Sequence, residues 1–356
     1  MSGVWGSKIK YSIFGESHGE AIGITIDGLQ PGIELNLEEI NREMRRRAPG
    51  KNKLSTPRQE KDEFQILSGY FNNKTTGAPL CAVIKNSDHH SKDYEKTKDL
   101  MRPGHADYTG KVKYGGFNDY RGGGHFSGRI TAPIVFAGAL AKQILSKKGI
   151  MIGSHIKSIG TVGEEYFDEV NIKEDLLKEL SQKEFPTIDE EKSLSMQEQI
   201  LNARENLDSI GGIVECAILN LPPGVGSPFF GSVESILSSL LFSIPAVKGV
   251  EFGAGFRISK MKGSGANDEF YIEDGVIKTY TNNNGGILGG ITNGMPVIFR
   301  TAFKPTPSIA QKQRTVDICK NENTTIEIQG RHDPCIVQRA VPVVEAVAAM
   351  GILELV

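Results

Sequence analysis

Ile22, Ile24 and Ile26 alternate with Gly23 and Thr25, the period of a half-buried strand. Gln30-Pro31-Gly32 then supplies turn chemistry. Asn36 predicts a helix start, with Glu39 placed to complete a capping box. That helix is expected to end in Arg45-Arg46-Arg47 and to stop at Pro49-Gly50. The same sequence of signals comes again later. Val214, Cys216 and Ile218 alternate, Pro222-Pro223-Gly224 turns, and residues 233–242 carry a helical period. Thr76-Gly77-Ala78-Pro79 and Asn293-Gly294-Met295-Pro296 each introduce a further strand. The pattern predicts a weak internal duplication.

Residues 164–208 are charged and free of glycine. Within them, 172–180 and 195–207 have amphipathic helical spacing. Long apolar helices are predicted at 133–146 and 341–355, and later strands at 249–252, 297–301 and 325–328. Strands and helices interleave without a regular βαβ rhythm. That favours an α+β fold over a doubly wound parallel sheet.

Composition narrows the function without changing this picture. The 356 residues are 38% hydrophobic and 24% charged, the range of a globular protein. The formal net charge is −2, so no global field recruits nucleic acid or membrane. Any anion site must be local. Cys81, Cys216, Cys319 and Cys335 make no CxxC pair or zinc spacing. They are expected to be buried free thiols in a reducing cytoplasm. The first residues lack the apolar core of a signal peptide. Residues 340–356 are broken by Pro342, Glu345 and Glu354, which suits a packed helix better than a membrane span.

Candidate chemistry concentrates in residues 102–131. This stretch holds eight glycines, two histidines and four lysines or arginines beyond Arg102. Glycine lets backbone approach a ligand, arginine recognises phosphate and carboxylate, and histidine exchanges protons near neutrality. Five segments, one of them inside this stretch, have related composition. They are Gly15-Glu16-Ser17-His18-Gly19, the arginine run with Lys51 and Lys53, Gly122-Gly123-Gly124 with its flanks, Lys304-Pro305-Thr306-Pro307-Ser308, and Gly330-Arg331-His332-Asp333-Pro334. The glycine triplet precedes an apolar helical run and reads as an anion seat at a helix start. No P-loop, Rossmann fingerprint or GxSxG elbow is present. His105-x-Asp107, His89-His90 and His332-Asp333 lack the spacing of a metal site, so no catalytic metal is expected. The arginine run has no interleaved aromatic platform for RNA.

Taken in order, these motifs resemble the chorismate synthase family. The resemblance rests on the Gly15–Gly19 pentapeptide, the arginine-rich stretch, Arg102-Pro103-Gly104-His105-Ala106-Asp107-Tyr108, Tyr120-Arg121-Gly122-Gly123-Gly124, Ser127-Gly128-Arg129, Ile287-Leu288-Gly289-Gly290, Lys304-Pro305-Thr306 and Gly330-Arg331-His332-Asp333-Pro334-Cys335. It spans residues 15–340 and implies a single catalytic domain over 1–356. The implied fold is a sandwich of two antiparallel sheets around helices, assembled as a homotetramer. The implied reaction is anti 1,4-elimination of phosphate from 5-enolpyruvylshikimate 3-phosphate to give chorismate, the last step of the shikimate pathway. It requires reduced FMN without net redox change. NADPH is implied only if the flavin is reduced in place. No appended reductase domain is visible, which leans toward a separate flavin reductase.

The resemblance also implies residue roles. His18 would protonate the departing phosphate, His105 would handle the proton at flavin N1, and Asp333 would accept the N5 proton. Arg46, Lys53 and Arg129 match positions that hold substrate or other anions. His125, Phe126, Ser127, Ala246, Gly289, Lys304, Pro305, Thr306, Pro307, Ser308 and Arg331 match the flavin site. His125-Phe126-Ser127-Gly128 stands where many members have Arg-Ser-Ser-Ala. Lys53 replaces a common arginine, Pro245 an asparagine and Pro307 a serine. Two other readings are a flavoprotein reductase acting on an anionic substrate, whose product would be redox-changed, and an RNA-binding module.

Overall fold

The structure is a computed structural model that describes residues 3–50, 54–55, 60–87, 98–328 and 332–356. The backbone divides into two compact units. The first comprises Met1–Ala137, Gln197–Gly211 and Pro305–Ile336, and the second Gly138–Met196, Gly212–Lys304 and Val337–Val356.

The first unit is built on a five-stranded sheet, in the order Val4–Trp5, Lys10–Gly15, Ala21–Asp27, Leu80–Lys85, Phe64–Ser68. Every neighbouring pair is antiparallel. Ile22, Ile24 and Ile26 are wholly buried on the central strand. Gly23, between them, is buried too. A Cβ there would lie 2.5 Å from the Phe14 ring, so that ring covers the face that alternation leaves to solvent. Asn36 caps the Leu37–Arg47 helix as predicted, its Oδ1 accepting from the N–H groups of Glu38 and Glu39. Glu39 answers through the Asn36 side-chain amide, at 3.1 Å, so the box closes between side chains. Later in the unit, Gln313–Asp317 and Glu322–Ile326 form a hairpin, which ends two residues before the predicted strand end.

The second unit repeats the plan. Its sheet order is Val247–Phe252, Val297–Phe303, Gly212–Leu219, Met151–Ile159, Val162–Gly163, again antiparallel throughout. In both sheets four main strands lie in the order first, second, fourth, third by position in the chain. The turn signals explain why. In the first unit Thr75 Oγ1 donates to Gln30 O at 2.6 Å and accepts from Ile33 N at 2.9 Å. In the second, Thr292 Oγ1 donates to Pro222 O at 2.7 Å and accepts from Val225 N at 2.9 Å. Gly77 faces Pro31, and Gly294 faces Pro223, each with positive φ. The duplication read from sequence is therefore present in hydrogen bonds as well as in strand order.

Three helices start earlier than their periodicity predicts, Thr131–Ser146 by only two residues. Glu190–Glu205 begins five residues ahead of position 195, because Asp189 Oδ1 accepts from the N–H groups of Glu191 and Lys192. Val337–Leu355 begins before its proline, and Pro342 sits in its second turn. Gly138, on the Thr131–Ser146 helix, lies directly against Ala346, so the backbones of these two apolar helices meet closely. Cys216 and Cys335 are buried as expected, but Cys81 is half-buried and Cys319 exposed. Among the described residues no helix is long and apolar enough to cross a membrane.

Candidate active site

The turn between Lys10–Gly15 and Ala21–Asp27 carries Ser17 and His18, both buried. Gly19 N donates to Glu16 O at 3.0 Å and tightens the turn. Asn86, just past the neighbouring strand, donates to the carbonyls of Glu16 and Gly19 at 3.0 and 2.9 Å. Ser17 Oγ donates to Gly122 O at 3.1 Å, and Ser17 N donates to Gly124 O at 3.2 Å. A short strand turn is thus bolted to the glycine run from one side and to the sheet from the other.

Gly122, Gly123 and Gly124 all have positive φ, at 59°, 88° and 53°. L side chains avoid that region. A methyl on Gly122 would run into Cδ2 and Nε2 of His18, and one on Gly123 would lie 3.0 and 3.1 Å from Cε1 and Nε2 of His105. Successive glycines therefore seat the two histidines. The run does not open the following helix, which begins only at Thr131 after an intervening turn at Gly128–Ile130. The expected anion seat at a helix start is corrected to a left-handed loop that holds two imidazoles.

His105 belongs to a second cluster. Asp107 Oδ1 lies 2.8 Å from its Nδ1. The same carboxylate accepts from Arg102 Nε and Nη2, both at 2.7 Å, and from Arg102 N at 3.1 Å. Burial works against the Asp107 charge, but the hydrogen bonds from Arg102 and His105 outweigh it and hold the carboxyl well below the usual carboxylate range. Arg102 Nη1 also reaches Ser308 Oγ, at 3.4 Å. Arg102 and Asp107 line a cavity of about 220 Å³ with Lys98, Asp99, Lys111 and Tyr120.

The arginine run divides its work. Arg46 pairs with buried Glu43 at 2.8 Å. Arg47 turns inward to Asp62, Thr131 Oγ1 and Gly128 O. Arg129 donates to Asp62, to Asn86 Oδ1 at 3.0 Å and to Lys85 O at 3.3 Å, and pairs with Glu60 at 3.1 Å. Each of its guanidinium nitrogens is engaged by protein. Lys53, Arg331, His89 and His90 lie outside the described residues. Asp333 is half-buried beside Pro334, whose carbonyl accepts from Ile210 N at 2.9 Å.

His125 Nδ1 lies 2.8 Å from Gly15 O and therefore donates to it. Phe126 packs on Gly110 and tilts against Tyr114, ring centroids 6.2 Å apart. Ser127 Oγ accepts from Arg129 N at 3.3 Å. Ser209 Oγ donates to Thr306 O at 2.6 Å, while Thr306 Oγ1 is buried with no hydrogen-bond partner. Pro305 is exposed, and Pro307 half-buried beside buried Ser308. In the second unit, Ala246 has a φ of 75° and its carbonyl accepts from Lys304 N at 3.0 Å. Burial, helped by the nearby Lys248 charge, pushes the Lys304 ammonium below its ordinary value. Gly289 has a φ of 62° with open space where a Cβ would stand.

The profile of the chorismate synthase family matches residues 9–356. The chain belongs to this family. A chorismate synthase of Thermococcus kodakarensis is 47% identical over 350 residues, covering 98% of this chain and 96% of that protein. One of Pyrococcus abyssi is 50% identical over 352 residues, covering 98% and 96%. A crystal structure of chorismate synthase superposes with a TM-score of 0.77 at 30% identity, covering 99% of this chain and 92% of that one. The α+β expectation and the lyase expectation both hold.

Among the residues placed by resemblance to chorismate synthases, the first unit brings His18, His105, Ser127 and Ser308 into one neighbourhood through the glycine run and Arg102. Sequence reasoning gave no role to Asn86 or Asp62, weighed Asp107 only as a metal partner of His105, and took Arg47 only as part of the arginine run. Asp107 had a readable signal, an acid two residues from a candidate histidine. Asp62 had none, because its partners lie 15 and 67 positions away.

Proposed function

We propose that this chain catalyses the anti 1,4-elimination of phosphate from 5-enolpyruvylshikimate 3-phosphate to chorismate, with reduced FMN bound and no net redox change. One observation carries the reading. Gly122 and Gly123, in backbone conformations that exclude side chains, seat His18 and His105 against successive positions of one loop. Such a pair suits a substrate that must shed phosphate while a second ligand's proton is managed nearby.

The residues present fit a flat anionic cofactor. In the first unit Thr306 Oγ1 is a buried hydroxyl without a partner; in the second, Gly289 leaves open space where a Cβ would stand and Lys304 lies near the Lys248 charge. Reduced flavin, when bound, supplies reversible electron donation that eases departure of the phosphate. His18 donates its proton to the leaving phosphate oxygen. His105 holds the proton at N1, and Asp333 accepts the one at N5. Ser127, Ala246, Gly289, Lys304, Pro305, Thr306, Pro307, Ser308 and Arg331 hold the cofactor, together with His125. Phe126 supports them through its packing on Gly110 and Tyr114. Arg46 and Lys53 hold substrate anions. Arg129 joins them by exchanging Asp62 or Glu60 for the ligand. The family match runs through both units, which supports one catalytic domain. Assembly as a homotetramer, a cytoplasmic location and a separate flavin reductase complete the proposal.

The test is an anaerobic assay with chemically reduced FMN, following phosphate and chorismate together. Equal release, with the flavin still reduced at the end, is expected. Stoichiometric oxidation of the flavin would assign a reductase instead. Replacing chemical reduction by NADPH separates reduction in place from a partner enzyme, and light scattering gives the assembly. His18→Ala is expected to lower turnover by roughly 10²–10⁴, the usual worth of a general acid. Full activity in that variant would remove His18 from its role.

A further inference from the structure

Asp107 is not among the residues that the resemblance assigns, yet its carboxylate decides what His105 can do. An ionised carboxylate only accepts hydrogen bonds. Asp107 is ionised, since Arg102 donates to both of its oxygens. Its Oδ1 approaches His105 Nδ1 at 2.8 Å, so Nδ1 must carry the hydrogen. Arg102 Nη2 also lies 3.1 Å from that nitrogen. A guanidinium only donates, so a bond there would require a lone pair on Nδ1. The two arrangements exclude each other. The carboxylate contact is shorter and joins a hydrogen to a charged acceptor, while Nη2 already donates to Asp107 Oδ1 at 2.7 Å.

We propose that Asp107 is the positioning residue of His105, holding the neutral imidazole as its Nδ1–H tautomer. The lone pair then resides on Nε2, the nitrogen turned toward Gly123. His105 therefore meets its ligand as a hydrogen-bond acceptor, and the complementary ligand atom is an N–H or O–H. When Nε2 takes a proton, the Nδ1 proton stays in place and Asp107 stays ionised. The carboxylate then balances the imidazolium from behind, as in hydrolase triads. Arg102 fixes the carboxylate in turn, with its Nη1 placed on Ser308. Residues 102–107 so form a closed unit in which one acid orients both a cation and a base.

This inference rests on the function proposed above, but its first test does not require turnover. Protein labelled with ¹⁵N in histidine, free of ligands and at a pH where the imidazoles are neutral, reports each tautomer by its long-range ¹H–¹⁵N pattern. The signal missing from His105→Gln gives the assignment. An Nδ1–H pattern is expected in the native protein, and an Nε2–H pattern would overturn the proposal. Asp107→Asn should move His105 toward Nε2–H, since the amide can donate to Nδ1, and should lower kcat by at least about 100-fold. Asp107→Glu restores a carboxylate and should recover the Nδ1–H pattern with part of the rate. Native tautomer and native kcat in Asp107→Asn would refute the positioning role. An Nδ1–H tautomer in a protein that never releases phosphate would sink the proposed reaction and leave the tautomer standing. If Asp107→Asn fails to fold, the native spectrum and Asp107→Glu still decide.

Discussion

Gly122 does at the residue scale what no other amino acid can. Its φ of 59° is in the left-handed region, and its missing Cβ is the space that His18 occupies. Gly122→Ala is therefore expected to displace His18 and lower kcat by at least about 100-fold, the scale of a lost general acid, with far-UV circular dichroism unchanged. Native turnover in this variant would show that the seat is not needed. Asp62 makes the opposite kind of contribution. It is buried between the guanidinium groups of Arg47 and Arg129. Asp62→Asn leaves two buried cations short of a counter-charge and should cost about 3–5 kcal/mol. Urea titration measures it, and a loss under about 1 kcal/mol, as for an exposed pair, would mean that water reaches the pair. The histidines and glycines of the site were legible in sequence because their types are unusual and crowd into one stretch. Asp62 was not, because a charge pair across 67 positions leaves no local period.

Elements were legible wherever a local rule governs them. Asn36 with Glu39 and the two Pro-Gly turns are features of short reach or repeated chemistry, whereas Thr75 and Thr292, which anchor those turns from 45 and 70 positions away, carried no local signal. The misses have equally physical causes. The helix at Glu190–Glu205 was read late because Asp189, not the apolar period, sets its start. Pro342 is tolerated inside Val337–Leu355, where a helix buried on all sides is held by packing more than by propensity. That packing has a critical point at Gly138, whose absent Cβ admits Ala346. Gly138→Val should push the two helices apart and destabilise by roughly 1–3 kcal/mol, as overpacking does. The variant's thermal midpoint checks this. A native midpoint would show that the helices can slide without loss.

At the scale of the whole molecule, the second unit buries a charged cluster on the sheet face that alternation leaves to solvent, since Glu215 stands between Val214 and Cys216. His155 is fully buried on Met151–Ile159, between Glu164 at its Nδ1 and Glu215 at its Nε2, the latter at 2.9 Å. Glu215 also accepts from Phe167 N at 2.8 Å and pairs with Arg300 at 3.0 Å. Lys157, over the Tyr166 ring, lies against the same cluster. Burial alone would lower the His155 pKa, but the hydrogen bonds and charges of Glu164 and Glu215 override it and raise it. Glu215 is shifted down: burial resists its charge, and His155 outweighs that resistance. A raised histidine means that the folded protein binds the proton more tightly than the unfolded chain does. Its stabilisation is complete below the unfolded value of about 6.5 and is lost as pH rises through the folded one. The depressed carboxyl contributes above its own unfolded value of about 4.3 and loses that contribution on acidification. Unfolding free energy should therefore be highest between roughly pH 4.5 and 6.5 as far as this cluster is concerned, and should fall on the alkaline side. His155→Gln removes the titrating group, so its stability above pH 6.5 should decline less steeply than the native protein's. Parallel curves for the two proteins across that range would show that the buried imidazole is neutral and that the two glutamates are held by Arg300 and Lys157 instead.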